Sequence, residues 1–311
     1  MIHRKDLVAD DYDNEVSIVE YLGVSSHLPH FFYASVPVLD EKSVCHAVLL
    51  KRDVNLPGEY IVQTKNLSKT FGNIRALDSV NLSIKKGSRY GYLGPNGAGK
   101  TTTMRILSGL LECTSGDATV CGYNIHSEKR MIKAHTGLLP ETAGLYSKLS
   151  AFEFLEFISA LYRMPSGEAH SKINKILSIL GLGSRQDDAI ETYSSGMKQK
   201  VLIASTLIHE PELVFLDEPT AYLDPAMSAL VKDLILALSK QTNTSFFICT
   251  HQTDFANDVC DVIGILDDGK LLIEGPTQEV IKRAEADSLE DAYVKLVGEE
   301  VDEEHLLDWR D

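Results

Sequence analysis

An α/β fold with a largely parallel sheet is the architecture this 311-residue sequence predicts. Three observations carry that expectation. From residue 195 on, helical and strand-like segments alternate, the pattern of strands joined by helical crossovers. Upstream, a glycine-rich loop separates a strand-like run from a helical one. Within the alternating region, the apolar run Leu213–Leu216 ends in two acids, Asp217 and Glu218.

The elements follow in order. Short β-like runs stand at Tyr60–Gln63, Val80–Ile84 and Arg89–Leu93, and the glycine-rich loop leads into a helical segment, Thr101–Leu111. Turn-rich, strand-like sequence continues to about Tyr146. Residues 150–182 read as helix, because Phe152, Leu155, Phe157, Ile158, Leu161, Ile173, Ile176, Leu177 and Leu180 recur at three-to-four spacing, with Gly181 and Gly183 closing it. The stretch 146–193 therefore reads as a helical insertion. The helix Met197–His209 precedes the strand Leu213–Leu216. The helix Met227–Leu238 precedes Phe246–Thr250, and strands Val262–Leu266 and Leu271–Ile273 follow.

Charge divides the chain in three. The whole carries 45 acids and 30 bases, net −15. Residues 1–58 hold nine acids and five bases, and residues 284–311 hold eleven acids and two bases. The middle is left with 25 acids and 23 bases, close to neutral. An acidic balance excludes a nucleic-acid backbone as the main partner, since such binders present basic patches. At 44% hydrophobic the chain has material for a sizeable core. No apolar run reaches the ~18–20 residues that cross a bilayer. Five cysteines without a C-x-x-C pair read as reduced thiols of a cytosolic protein.

The loop Gly94-Pro95-Asn96-Gly97-Ala98-Gly99-Lys100-Thr101 fits G-x-x-x-x-G-K-[ST]. Its glycines let the backbone wrap a phosphate with N–H groups pointing inward. The following helix, entered through Thr102, adds its N-terminal partial positive charge. Lys100 reaches the terminal phosphates and the Thr101 hydroxyl ligates Mg²⁺. Asp217, at the end of an apolar strand, suits the same Mg²⁺, and Glu218 suits the general base that polarises water.

Further motifs surround these. Tyr193-Ser194-Ser195-Gly196-Met197 resembles the signature of ABC-type ATPases in its YSxGM form. Leu216-Asp217-Glu218-Pro219-Thr220 with Leu223-Asp224-Pro225 resembles that family's Walker B and D-loop, Thr250-His251 its switch histidine, and Phe71-Gly72 its aromatic adenine-stacking loop. The resemblance covers about residues 60–285. Gly137-Leu-Leu-Pro-Glu141, Gly144-Leu-Tyr146 and Leu289–Gly298 look like ATP-binding subunits of drug, sodium or lipid exporters, the daunorubicin-resistance type in particular.

The resemblance implies a P-loop NTPase, RecA-like core with an N-terminal antiparallel β subdomain and a helical insertion. It implies ATP and Mg²⁺, and a second ATPase subunit, identical or a close paralogue. The phosphate loop of one copy then faces the signature of the other, with Ser194, Ser195, Gly196 and Met197 acting in trans and Asp224 organising the partner's site. Ser195 stands where the family's first signature glycine stands, Glu141 where most members carry glutamine, and Tyr222 where a small residue is usual. Glu141 can still contact the metal, and His251 contacts the γ-phosphate. Phe152, Phe154 and Phe157 read mainly as core, with permease docking as the sharper alternative. A multi-span permease is the implied partner, placing the chain in the cytoplasm, peripheral on the inner face of the cell membrane. Export is the implied direction. A soluble ATPase acting in assembly, such as Fe–S cluster biogenesis, is the alternative.

The division expected is an extension of unassigned role (1–58), the ATPase domain (59–285, helical subdomain about 146–193) and a tail (286–311) that is helical and then acidic. In the extension, Asn14–Leu22 suggests a short amphipathic helix, and Phe31–Leu39 with Val44–Leu50 a hairpin. His27, His30 and His46 fit no common metal spacing.

Overall fold

The computed structural model describes residues 59–141, 144–221 and 223–298. The expectations for the 1–58 extension, Tyr222, Cys45 and the acids after Gly298 lie outside the described residues. Eleven strands and nine α-helices form the described part. In chain order they are β1 (Tyr60–Phe71), β2 (Ile74–Val80), β3 (Ser83–Lys85), β4 (Arg89–Leu93), α1 (Lys100–Leu107), β5 (Ser115–Val120), β6 (Tyr123–Asn124), α2 (Lys129–His135) and β7 (Thr136–Leu139). Then come α3 (Ala151–Leu161), α4 (Ser166–Ile179), α5 (Ser195–Leu207), β8 (Leu213–Asp217), α6 (Pro225–Thr242), β9 (Ser245–Thr250), α7 (Thr253–Val259), β10 (Val262–Asp267), β11 (Lys270–Pro276), α8 (Thr277–Arg283) and α9 (Leu289–Val297).

Two sheets are stacked. The larger has the order β11-β10-β4-β9-β8-β7, parallel throughout except for the edge pair β10–β11. Its inner strands are buried on both faces, so they read as continuous apolar runs, β8 and β9 fully so. The smaller sheet is antiparallel, β2-β1-β5-β6, with β3 also paired to β1. Between the sheets, Leu77, Val120, Met104, Leu107, Phe215 and Phe247 share one core with α1. On the other face of the parallel sheet, Ile203, Val231, Ile235, Val259, Val280 and Leu289 bring α5 to α9 together.

The helical region has its own core. Phe154, Leu155 and Ile158 of α3 and Ile173 and Leu177 of α4 pack with Val201, Ala204 and Ile208 around α5. The single helix expected over 150–182 is two helices. Pro165 explains the break: it has no N–H to donate and disfavours helical geometry in the residue before it, so it precedes α4 as its N-cap residue. Ser150 starts α3 with a reciprocal capping box, its hydroxyl accepting from Glu153 N and the Glu153 carboxylate accepting from Ser150 N. Phe154 is fully buried, while Phe152 and Phe157 are half-buried against His170 and Tyr146.

The run expected as one strand over 80–84 is divided between β2 and β3. Asn81 and Leu82 separate the two strands. Strand β2 and most of β1 escape a hydropathy reading because their outer faces are polar and only Leu77 and Val80 are buried in β2. The helix expected in the tail is α9. Leu289 and Ala292 are buried, and Tyr293, Leu296 and Val297 pack on the same core as β10 and α8, so this part of the tail is integral with the fold. No described helix is long and apolar enough to cross a membrane.

Candidate active site

The carboxyl ends of parallel strands are where an open α/β sheet places its ligand crevice. Three strand ends meet here. β4 ends at Leu93 and passes into the glycine loop, β8 ends at Asp217 and β9 ends at Thr250, with β9 lying between β4 and β8. A cleft of ≈ 600 Å³ opens at that edge, within the ~300–1,000 Å³ of small-molecule sites. Asn96, Gly97, Gly99, Lys100, Thr101 and Thr102 line it from the loop and α1. Glu141, Asp217, Glu218, Ala221, His251 and Gln252 line it from the other strand ends.

The loop is shaped as a phosphate cradle. Gly99 has φ +107°, and a Cβ there would stand 2.5 Å from Ala76 O, so only glycine fits. Behind it, buried Ala98 accepts through its carbonyl from Gly269 N at 3.0 Å and donates its own N–H to Pro95 O. Lys100 is 7% exposed. Its Nζ donates to Gly94 O (2.6 Å) and Pro95 O (3.0 Å), which holds the ammonium at the mouth of the loop.

The acids sit opposite. Thr101 Oγ1 donates to Asp217 Oδ2 at 2.9 Å. Burial pushes the Asp217 carboxyl up to about 6, opposed by the Thr101 hydrogen bond and helped by the nearby Glu141 and Glu218 charges. A divalent cation in the cleft would relieve that penalty. The Thr101 hydroxyl and the Asp217 and Glu141 carboxylates are hard oxygen donors, chemistry that fits Mg²⁺.

Glu218 is 8% exposed and held at φ +47°, with its N–H donating to Cys249 O. A left-handed backbone at a buried non-glycine residue is strain kept by its surroundings. Those surroundings are the end of β9: Thr250 Oγ1 donates to Glu218 Oε2 at 2.9 Å, and His251 N donates to Oε1 at 3.0 Å. His251 Nδ1 lies 2.8 Å from the same Oε1.

Other expected residues lie elsewhere. Ser194 and Ser195 are exposed at the start of α5, where Ser194 Oγ accepts from Met197 N at 3.3 Å and caps the helix. Neither they nor Gly196 nor Met197 lines this chain's cleft. Asp224 caps α6, accepting from Met227 N at 2.9 Å. Phe71 ends β1 46% exposed, with Lys69 Nζ 4.9 Å from its ring centroid. It is not the core side chain that a strand-end Phe usually is. Sequence reasoning missed Gln252 and Ala221 as cleft residues. Their signal was only adjacency, to His251 and to the acid pair.

Residues 77–221 match the family described as ABC transporter. The linearmycin resistance ATP-binding protein of Bacillus subtilis is 35% identical over 239 residues, 77% of this chain and 76% of that protein. A probable multidrug ABC transporter ATP-binding protein of Escherichia coli is 30% identical over 315 residues, 98% of this chain. It is longer, and this chain spans about half of it, 54%. Among solved structures, a dimeric ATP-binding cassette in a post-hydrolysis state with ADP and Pi superposes with TM-score 0.63 at 27% identity, over 69% of this chain and 98% of that one. With a phosphate cradle, a buried acid pair and a strand-end histidine on one sheet edge, the chain belongs to the ABC transporter family as one of its ATP-binding, ATP-hydrolysing proteins.

Proposed function

We propose that this chain closes face to face with a second copy, or with a close paralogue, around two MgATP, and that this motion drives a separate multi-span permease. One observation carries the reading. Lys100, Thr101, Asp217, Glu218 and His251 share a cleft that lacks the signature residues, which stand exposed at another helix start. A second subunit supplies what is missing: the Ser194–Met197 segment brings a helix N-terminus and hydroxyls to the γ-phosphate.

In this reading Phe71 stacks on adenine through its open face and Lys100 exchanges its loop carbonyls for phosphate oxygens. Thr101, Asp217 and Glu141 would hold Mg²⁺, which when bound neutralises charge on the β- and γ-phosphates. Glu218 takes the proton from the attacking water, whose oxygen bonds to the γ-phosphorus as the bond to the ADP oxygen breaks. His251 steadies the γ-phosphate, and Asp224 orders the partner's site. The cassette is assigned to 59–285 with a helical subdomain at about 146–193, between the 1–58 extension and the 286–311 tail.

Export follows from relatives named for linearmycin resistance and multidrug transport. Four described cysteines are free, three of them buried, in keeping with the reducing cytoplasm, where docking on the permease would hold the chain at the inner face of the membrane. No specific observation favours the assembly reading. The test uses Glu218→Gln, which should lose hydrolysis, form dimers with ATP on size exclusion, and co-purify with a multi-span protein from detergent extracts. Monomers throughout, or only soluble partners, would overturn the reading.

A further inference from the structure

The carboxylate at the end of β8 is fixed by more than the histidine. Glu218 has two oxygens with two lone pairs each. Oε1 receives two contacts, from His251 N and Nδ1. Oε2 receives one, from Thr250 Oγ1 at 2.9 Å. Oε2 therefore keeps a lone pair for the cleft even while His251 is in place.

The two anchors differ in kind. The His251 side chain is 54% exposed, and its ring reaches Glu218 through Nδ1 alone. Thr250 is 0% exposed, with its hydroxyl pinned on both sides. Its oxygen accepts from Gln252 N at 3.1 Å while its proton goes to Glu218. Gln252 is itself held, its Oε1 accepting from Thr220 Oγ1 at 3.2 Å, two residues beyond Glu218. The result is a closed loop of contacts between the ends of β8 and β9. A β-branched side chain suits the place, because its χ1 is stiff and the hydroxyl keeps its direction.

We propose that Thr250 is the positioning residue for Glu218: its hydroxyl fixes Oε2 so that the remaining lone pair meets the attacking water, independently of where the His251 ring stands. This rests on the assignment of Glu218 as general base. The chain Gln252 N–H to Thr250 O–H to Glu218 is polarised in one direction, which strengthens each bond in a buried setting. Because Glu218 sits at φ +47°, loss of the Thr250 bond removes one of the contacts that over-determine a strained backbone. The Thr250 hydroxyl is buried and does not line the cleft, so its effect falls on the chemical step.

The test compares Thr250→Val, which keeps shape and removes the hydroxyl, with Thr250→Ser, which restores it, in the full chain. Phosphate release at saturating MgATP should fall about 10²-fold in Thr250→Val, the scale of a displaced catalytic group. The KM for ATP should stay within about twofold, and Thr250→Ser should recover activity to within about threefold of the parent. ATP-dependent dimerisation should persist in both. Parent-like turnover in Thr250→Val alongside an inactive Glu218→Gln overturns this inference alone. Parent-like turnover in Glu218→Gln overturns the general-base assignment itself. Equal losses in the Val and Ser variants, with dimerisation lost, would make Thr250 a packing residue only.

Discussion

Glu218 and His251 are joined twice: the His251 amide donates to Glu218 Oε1 at 3.0 Å, and the ring Nδ1 meets the same oxygen at 2.8 Å. A carboxylate only accepts, so in this contact Nδ1 carries the proton. The acid from β8 and the histidine from β9 are 33 residues apart in sequence and one strand apart in space.

Replacing His251 by Ala should lower kcat by about 10²–10³-fold with little change in the KM for ATP. Steady-state phosphate release checks this. A rise in KM that accounts for the whole loss would make His251 a binding residue instead.

Complementation in trans tests the composite site. A Lys100→Ala copy and a Ser194→Arg copy should each be inactive. Mixed, they form a pair with one damaged and one intact site, so hydrolysis should return to a sizeable fraction of the parent. If mixing restores nothing at any ratio, the signature does not act across subunits.

Asp217 should set a pH dependence of the nucleotide-free fold. Its carboxyl is raised from 3.8 to about 6 by burial, so between these values the folded chain holds a proton that the unfolded chain releases. Stability from this group is full below about pH 4, declines as pH rises, and is lost above about pH 6, at a cost of roughly 3 kcal/mol. Asp217→Asn should therefore raise Tm more at pH 8 than at pH 4.5. A pH-independent shift would contradict the burial argument.

Phe71 is half-exposed, so Phe71→Ala should leave Tm nearly unchanged, as surface replacements cost within about 0.5 kcal/mol. ATP affinity should fall by roughly 1–3 kcal/mol, and Phe71→Trp should retain it. Isothermal titration with ATP beside a melting curve separates the two effects.

Leu289 is 2% exposed, so Leu289→Ala should cost about 2–4 kcal/mol although it lies in the predicted tail. Chemical denaturation measures this. Parent-like stability would show that α9 is an appendage.

Much of the site was legible because its chemistry is local. A glycine-rich loop closing on a lysine and an apolar strand ending in two acids are both local patterns, so Gly94–Thr101 and Asp217-Glu218 stand out without any fold. The parallel sheet was legible for a related reason, since its strands are apolar on both faces. Less was legible where burial is one-sided or polar. The pairing of β1 with β2 joins strands with exposed outer faces, and the division at Pro165 was masked by a helical period that runs through it.

By itself the sequence determined the class of fold and marked the glycine loop, the two acids and the histidine as candidates, because those depend on residue type and short-range spacing. Tertiary structure alone decided what these groups do to one another. It set Thr250 and His251 on the two oxygens of Glu218, pushed Asp217 up by burying it, and left Ser194 and Phe71 at the surface. Those relations depend on which strand ends become neighbours. The order β4-β9-β8 sets that, pairing β4 with β9 across 157 residues and β8 with β9 across 32, and no local pattern records it.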